Sequence, residues 1–298
     1  MSHAETTPVI TSVTTDPVPP GDPTAGSAPR RSRRRRFTAP LLVLGGLATL
    51  AVLGPLFWWV DPAATGLGPS LAAPSASHPM GTDAVGRDVL ARFLGGAGVS
   101  LLAALLVTVA SGLLGALVGA AAAVSGGVVD TVLSRAADIV LSFPQLVLAM
   151  AIAVGLGAGL PGALLAAVLT AAPVTARLVR NDLVRIAAEP YVVAARTLGL
   201  GTPHTVRAHL LPQALPTLAV QSAAVFGGTV MVLAALGFVG LGAQVPTPEW
   251  GAMIAEGMSA SLTGAWWVTV FPGLGLVVAV LGANLLADAL THEPGDSR

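Results

Sequence analysis

The amino-acid sequence predicts an all-α polytopic membrane protein with six transmembrane helices, and three observations support this fold class. Of the 298 residues, 54% are hydrophobic and only 10% are charged, whereas a soluble domain carries about 25% charged residues. The fifteen basic residues are all Arg, and most lie beside long uncharged stretches. A membrane span needs about 20 apolar residues, and the uncharged stretches cover 93–129, 139–176, 208–248 and 257–287.

The N-terminal part is predicted to be a disordered cytosolic tail over 1–36, because small and polar residues dominate it and cannot form a core. Six Arg lie within 30–36. Such a cluster beside a span is more typical of a topology signal than of nucleic-acid binding, so we expect no nucleic-acid partner. The first transmembrane helix follows over 37–60. It is too long for the apolar part of a cleaved signal peptide, and it ends in an aromatic anchor of Phe57, Trp58 and Trp59.

An extracytoplasmic segment is predicted over 61–97, with a short amphipathic helix at 82–90. A five-helix core then covers 98–290. It is interrupted by a cytosolic loop at 177–211 and followed by a cytosolic tail at 291–298. The apolar stretches and the Gly/Pro turns place spans two to six at about 99–124, 132–155, 163–178, 213–238 and 265–286.

The Arg distribution predicts that both termini lie in the cytosol. With this orientation the cytosolic segments hold thirteen Arg and the outer segments hold only Arg87 and Arg92, as the positive-inside rule requires. Small residues, including the Gly115 and Gly119 pair, are expected where helix backbones approach each other in lipid.

Several classes of protein are excluded by missing residue types. The chain has no Cys, so disulfides and thiolate metal sites are excluded, and its five His have no metalloprotease spacing. It has no Lys and therefore no P-loop. The span interiors hold no ionisable group of the kind that gradient-driven carriers use; Arg135 and Asp138 are predicted to pair at the cytosolic end of span three. We expect no catalytic residue, no metal and no cofactor on this chain.

The cytosolic loop holds the segment with the clearest local signals. Pro190 suits the first turn of a helix, and Glu189 places negative charge at the positive end of that helix. The spacing of Tyr191, Ala194, Ala195 and Leu198 puts these four side chains on one apolar face. Gly199 and Gly201 are expected to end the helix, and a second short helix is expected from Thr202-Pro203. The residues alone leave two interpretations open: a helix that docks in a groove of another protein, or one that lies on the membrane surface.

This loop resembles the conserved cytoplasmic EAA loop of bacterial ABC importer permeases. The match consists of Ala194-Ala195, then Gly199, then the distal Leu211-Pro212. The Glu that gives the motif its name is replaced by Val193. The resemblance implies that Glu189, Tyr191, Ala194, Ala195, Arg196, Leu198, Gly199, Leu211 and Pro212 belong to a segment that couples to an ATPase.

Three further motifs resemble the dipeptide/oligopeptide/nickel permease family over about 78–290. They are His78-Pro79-Met80-Gly81-Thr82-Asp83 with Gly86-Arg87-Asp88-Val89, then Ala176-Arg177-Leu178-Val179-Arg180, then Gly240-Leu241-Gly242 with Pro246-Thr247-Pro248-Glu249-Trp250-Gly251-Ala252-Met253.

The resemblance implies a type I importer permease in a bacterial inner membrane. Its expected partners are a second homologous permease, two ATP-binding subunits that hold ATP and Mg²⁺, an extracytoplasmic binding protein, and membrane lipid. Di- or oligopeptides are the expected substrate, with nickel or another small solute as the alternative. A stand-alone secondary transporter or channel is the alternative from a different class. The substrate-binding residues are not predicted.

Overall fold

The computed structural model describes residues 31–198 and 211–291, apart from the side chains of residues 31–36, Arg196 and Leu211. Secondary structure in these ranges is helical, with one isolated β-bridge. In chain order the helices are α1 Arg31–Phe57, α2 Val89–Ser125, α3 Gly127–Leu141, α4 Gln145–Leu156, α5 Leu160–Ala187, α6 Pro190–Thr197, α7 Leu211–Phe238, α8 Trp250–Leu262 and α9 Trp267–Thr291.

Five of these helices are long and apolar enough to cross a membrane, namely α1 from Phe37, α2, α5, α7 from Pro212, and α9. The bent pair α3 and α4 makes a sixth span if the two are counted together. The predicted all-α, six-span class is therefore confirmed. The first helix differs in its start: it begins at Arg31, so the last part of the predicted disordered tail is helical. Arg has a high helix propensity and can extend the span into water. The rest of the tail, residues 1–30, lies outside the described residues, as do 292–298.

The core of the protein is built on α2 and α5, which form its most extensive helix pair. A Cβ atom at Gly115 would lie 2.6 Å from the carbonyl oxygen of Ala172, and one at Gly119 would lie 2.3 Å from that of Ala176. The two glycines thus permit the close backbone approach that small residues allow in lipid. Helices α4, α7, α8 and α9 supply most of the rest of the buried cluster. Helix α1 contributes Leu47 and packs on α2 and α9 at the periphery.

Trp250, the first residue of α8, is fully buried at the outer end of this core. Its ring stacks on Phe93 with the centroids 5.5 Å apart, and its indole N–H donates to the carbonyl oxygen of Phe93 at 3.1 Å. No helix was predicted between spans five and six, so α8 was missed. It has only 13 residues, which is too short for a span signal.

Span three, predicted at about 132–155, consists of two helices instead of one. The chain bends by 95° between α3 and α4. Pro144 has no N–H to continue the α3 hydrogen-bond ladder, and it disfavours helical backbone at Phe143. Span four is also longer than predicted, since α5 continues to Ala187 and carries three Arg of the predicted loop.

The amphipathic helix expected at 82–90 is wrong as well. Thr82 and Asp88 instead form an antiparallel bridge across a tight turn. Gly86 adopts a φ of +72° in this turn, a conformation that glycine adopts without steric cost. Only Val89 and Leu90 are helical, and they begin α2.

Candidate functional site

The cytosolic segment begins where α5 ends. The backbone N–H of Ala188 donates to the carbonyl oxygens of Arg185 and Ile186, which closes the last turn of α5. The carbonyl oxygen of Glu189 then accepts from the N–H groups of Val192 and Val193, at 3.0 Å each. Pro190 is the first residue of α6, a position where its missing N–H leaves no bond unmade. A sharp turn therefore connects α5 to the short α6.

Helix α6 is anchored by one fully buried side chain, Val192. Val192 joins a small cluster with Val179, Leu183 and Ile186 of α5 and Ala214 of α7. Burial of an aliphatic side chain of this size contributes roughly 1.5–3 kcal/mol. This contact fixes α6 against the inner ends of α5 and α7.

The apolar face predicted for α6 is divided in the structure. Ala195 is buried, with 9% of its surface exposed, and lies on the inward side of α6 with Val192. Tyr191 and Leu198 are 43% and 84% exposed, and Ala194 is exposed as well. Sequence spacing grouped the four residues because they lie at positions i, i+3, i+4 and i+7 of a helix. Val192 faces α5 and α7, and Ala195, three residues later, lies on the same buried side of α6.

Tyr191 also ties α6 to the next span. The side-chain amide of Gln213, the third residue of α7, donates to the Tyr191 hydroxyl at 2.5 Å. Of the other predicted site residues, Pro212 is exposed in the first turn of α7, and Leu211 and Arg196 lie in helices. Gly199 and the second short helix expected from Thr202-Pro203 lie outside the described residues.

Two ion pairs between α3 and α5 lie near this segment. Asp130 accepts from Arg180, with the Oδ2 and Nη2 atoms 2.6 Å apart, and Asp138 accepts from Arg177. Asp138 also pairs with Arg135, its predicted partner on α3, with the nearest atoms 3.9 Å apart. Asp138 therefore has two Arg partners, one on its own helix and one on α5.

A second charged group lies at the opposite end of the bundle and was not predicted. We call Asp83, Arg87, Arg92 and Glu256 the outer ion cluster. Arg87 donates from Nε to Asp83 at 2.6 Å and from Nη2 to Glu256 at 2.5 Å. Arg92 donates from Nη1 to Asp83 at 2.7 Å and to Glu256 at 2.8 Å, and from Nη2 to Glu256 at 3.1 Å. The cluster thereby joins the segment before α2, α2 itself and α8.

The outer ion cluster keeps its carboxylates charged. Burial acts to raise the pKa of Asp83, but hydrogen bonds from the backbone N–H of Arg87, the two Arg side chains and the N–H of Val85 outweigh it and lower that pKa. Burial likewise opposes the shift at Glu256, whose pKa is lowered by the hydrogen bonds and charges of Arg92 and Arg87. Two cations and two anions thus neutralise each other in a largely buried site.

Asp88 organises the turn beside this cluster. Its Oδ1 caps α2 by accepting from the N–H of Ala91 at 2.8 Å and also accepts from the indole of Trp58 at 3.1 Å, while Oδ2 lies 2.7 Å from Nδ1 of His78. One signal could have revealed this region from the sequence. Arg87 and Arg92 are the only two Arg expected on the outside, and buried charges need partners.

Comparison with known proteins assigns the chain to a family. A sequence model described as binding-protein-dependent transport system inner membrane component matches residues 111–292. This chain belongs to that family. The match runs from the middle of α2 past the end of α9, so it includes the whole cytosolic segment. As an inner-membrane permease, the chain lies in the bacterial inner membrane as a multi-pass protein, which confirms the predicted location.

Relatives of this family cover most of the chain. This chain is 40% identical over 253 residues to the probable D,D-dipeptide transport system permease protein DdpC of Escherichia coli (strain K12). The aligned region covers 85% of this chain and 84% of that protein. The chain is 33% identical over 293 residues to the dipeptide transport system permease protein DppC of Alkalihalophilus pseudofirmus, with 97% and 95% covered. The resemblance to the dipeptide/oligopeptide permeases is therefore confirmed.

The fold is also similar to that of a solved transporter chain. A chain of the inward-facing MetNI methionine ABC transporter superposes with a TM-score of 0.50 and 26% identity, covering 63% of this chain and 91% of that chain. The predicted importer permease fold is confirmed by this likeness together with the family. Membership implies in general that an ATPase and a binding protein act with the chain.

Proposed function

We propose that this chain is one of two related permeases of a peptide importer, and that two separate ATPase subunits drive it. An extracytoplasmic binding protein delivers the substrate, and ATP and Mg²⁺ are held by the ATPase subunits. The chain itself catalyses no reaction. Peptides are the proposed cargo because the relatives are described as dipeptide permeases; nickel or another small solute is the alternative within the same family.

The observation that carries this proposal is the way α6 is held against α5 and α7. Its inward side is fixed by Val192, while Tyr191, Ala194 and Leu198 are exposed at the inner end of α5 and α7. A short helix held rigidly, with a small residue at the centre of its exposed side, can dock closely in a groove of another protein. Movement of that protein would act directly on α7, because Tyr191 is hydrogen-bonded to Gln213.

The test compares two Ala→Arg substitutions in the complete reconstituted importer. Ala194→Arg places a long cation on the proposed docking side, and Ala188→Arg places the same side chain at an exposed position before α6. We expect Ala194→Arg to lower peptide uptake per ATP hydrolysed at least about tenfold, since a misfit at the centre of an interface costs about 2 kcal/mol or more. Ala188→Arg should keep coupled uptake. Ala195→Arg is a poorer probe, because a long cation at this buried position would displace α6 from α5 and α7.

Three results would contradict the proposal. Undiminished coupled uptake by Ala194→Arg would contradict the docking of α6 in an ATPase groove. Transport by the purified single chain without any nucleotide-hydrolysing companion would favour a stand-alone secondary transporter or channel. Uptake of nickel but not of di- or tripeptides by the complete importer would replace the proposed cargo.

A further inference from the structure

Helix α8 is fixed to the outer end of α7 by very close packing. A Cβ atom at Gly251 would lie 2.2 Å from the carbonyl oxygen of Ala234, so the backbones of the two helices touch directly. Glu249 caps α8 by accepting from the N–H groups of Gly251 and Ala252 at 2.8 and 2.9 Å, and it also accepts from the hydroxyl of Ser100 at 3.2 Å. Ser100 belongs to α2, so Glu249 also ties α8 to that helix. The direct backbone contact at Gly251 leaves no room for α8 to slide along α7, so α8 follows α7 when α7 moves.

The other end of α7 lies beside the proposed docking helix. Gln213 in the first turn of α7 donates a hydrogen bond to the Tyr191 hydroxyl of α6. Helix α7 has 28 residues, which corresponds to a length of about 42 Å. A single helix therefore connects the cytosolic segment with α8 at the opposite end of the bundle.

The outer loop, residues 61–88, is held to α8 through charges. Arg87 of this loop and Arg92 of α2 both donate to Glu256 of α8, and both also donate to Asp83 of the loop. Asp83 in turn accepts from the N–H groups of Val85 and Arg87 at 3.0 Å each. Removing one member of such a buried network leaves the other charges without a partner, which costs free energy. The four side chains therefore move together.

We propose that the outer ion cluster is the link through which the α7–α8 unit moves the outer loop. Glu256 is then a positioning residue for transport, and the partner on which the loop acts is the extracytoplasmic binding protein. Motion that starts at α6 reaches the loop through α7, α8 and Glu256. This inference rests on the proposed function, because it assumes that an ATPase drives α6 and that a binding protein meets the outer side.

The first experiment measures communication between the outer side and ATP hydrolysis. The complete importer is reconstituted with Glu256→Gln, or with Asp61→Asn as a matched control at an exposed carboxylate of the same loop. The readout is the rate of ATP hydrolysis with a dipeptide-loaded binding protein divided by the rate without it. We expect Glu256→Gln to lower this ratio about tenfold, since breaking a buried charge network disfavours the coupled arrangement, and Asp61→Asn to leave it unchanged.

The outcomes separate the two proposals. If the wild-type complex shows no stimulation, or contains no ATPase, the proposed function fails. If the wild type is stimulated and Glu256→Gln is stimulated equally, the link fails while the proposed function stands.

The second experiment needs no change in the cluster and decides the matter if Glu256→Gln does not assemble. The chain contains no Cys, so spin labels can be placed at Val85→Cys in the loop and Met258→Cys on α8, both exposed positions. We expect the same distance distribution between the labels without nucleotide and with ATP and vanadate, because loop and helix move together. A distribution that changes between these states would overturn the proposal.

Discussion

Gly119 shows how a single residue sets the packing of this bundle. Its missing side chain lets α2 approach the carbonyl oxygen of Ala176 on α5, whereas a methyl group added at Gly112 on the same helix would meet no neighbouring atom within 4 Å. The two glycines look alike in the sequence, and only their surroundings distinguish them. Gly119 is required by the contact with α5, whereas Gly112 has room for a side chain.

We predict opposite effects of the same substitution at these two positions. Gly119→Ala should lower the free energy of unfolding by about 1–3 kcal/mol, because the added methyl group forces the helices apart. Gly112→Ala should leave it unchanged or raise it by up to about 1 kcal/mol, since Ala is the better helix former. Both values can be measured by SDS titration in mixed micelles. Equal effects of the two variants would contradict the assigned close contact.

At the scale of elements, the short helices are decided by their anchors. Helix α3 has no buried residue among those described and is held to α5 by ion pairs, while α6 is held by Val192. In both cases the sequence shows apolar residues at helical spacing, but spacing alone does not say which side meets the protein. The turn before the helix and the neighbouring span determine that side.

The anchoring of α6 can be tested with two adjacent residues of the same type. Val192 is fully buried and Val193 is 48% exposed. We predict that Val192→Asp makes the backbone amides of α6 exchange at least about tenfold faster, because a charge without a partner in an apolar cluster costs several kcal/mol. Val193→Asp should keep the wild-type exchange rate. Hydrogen-exchange mass spectrometry of the peptide containing α6 provides the measurement; similar rates in both variants would contradict the anchor.

At the scale of the whole molecule, charge is sorted to the two ends of the bundle. The outer end holds the ion cluster, and the inner end holds the two α3–α5 ion pairs and α6. The excess of Arg on the inner side predicts the orientation in the membrane. The Cys-free sequence makes this orientation directly measurable.

Single cysteines at exposed positions should report this orientation. We predict that Val85→Cys reacts with a membrane-impermeant maleimide added to the extracytoplasmic side of spheroplasts, which places the outer loop outside the cytosol. Val193→Cys on α6 should react only after the membrane is permeabilised. Labelling in the reverse pattern would show that the Arg distribution had been misinterpreted.

Much of the fold could be predicted from the sequence because lipid imposes a strong constraint. Every span must be long and apolar, so α2, α5, α7 and α9 can be located from uncharged stretches. The start of α6 was also predictable, since Pro190 acts through its own backbone. The bend at Pro144 was not predicted, because the surrounding stretch is as apolar as a straight span. The short α8 was not predicted because its 13 residues give no span signal, and the burial of Trp250 depends on Phe93, far away in the chain.

By itself, the sequence determined the membrane class, the expected orientation and the segment resembling an ATPase-coupling loop, because hydropathy, Arg placement and local helix signals act over neighbouring residues. The tertiary structure decided which residues of that segment face outward, that Arg177 joins Arg135 at Asp138, and how Arg87 and Arg92 meet Glu256. These contacts join residues as far apart as 169 positions, and their geometry depends on how the helices pack. The reason is the sequence separation over which each interaction acts. Backbone and solvent preferences involve neighbouring residues, whereas charge pairing in a buried site depends on how the whole bundle packs.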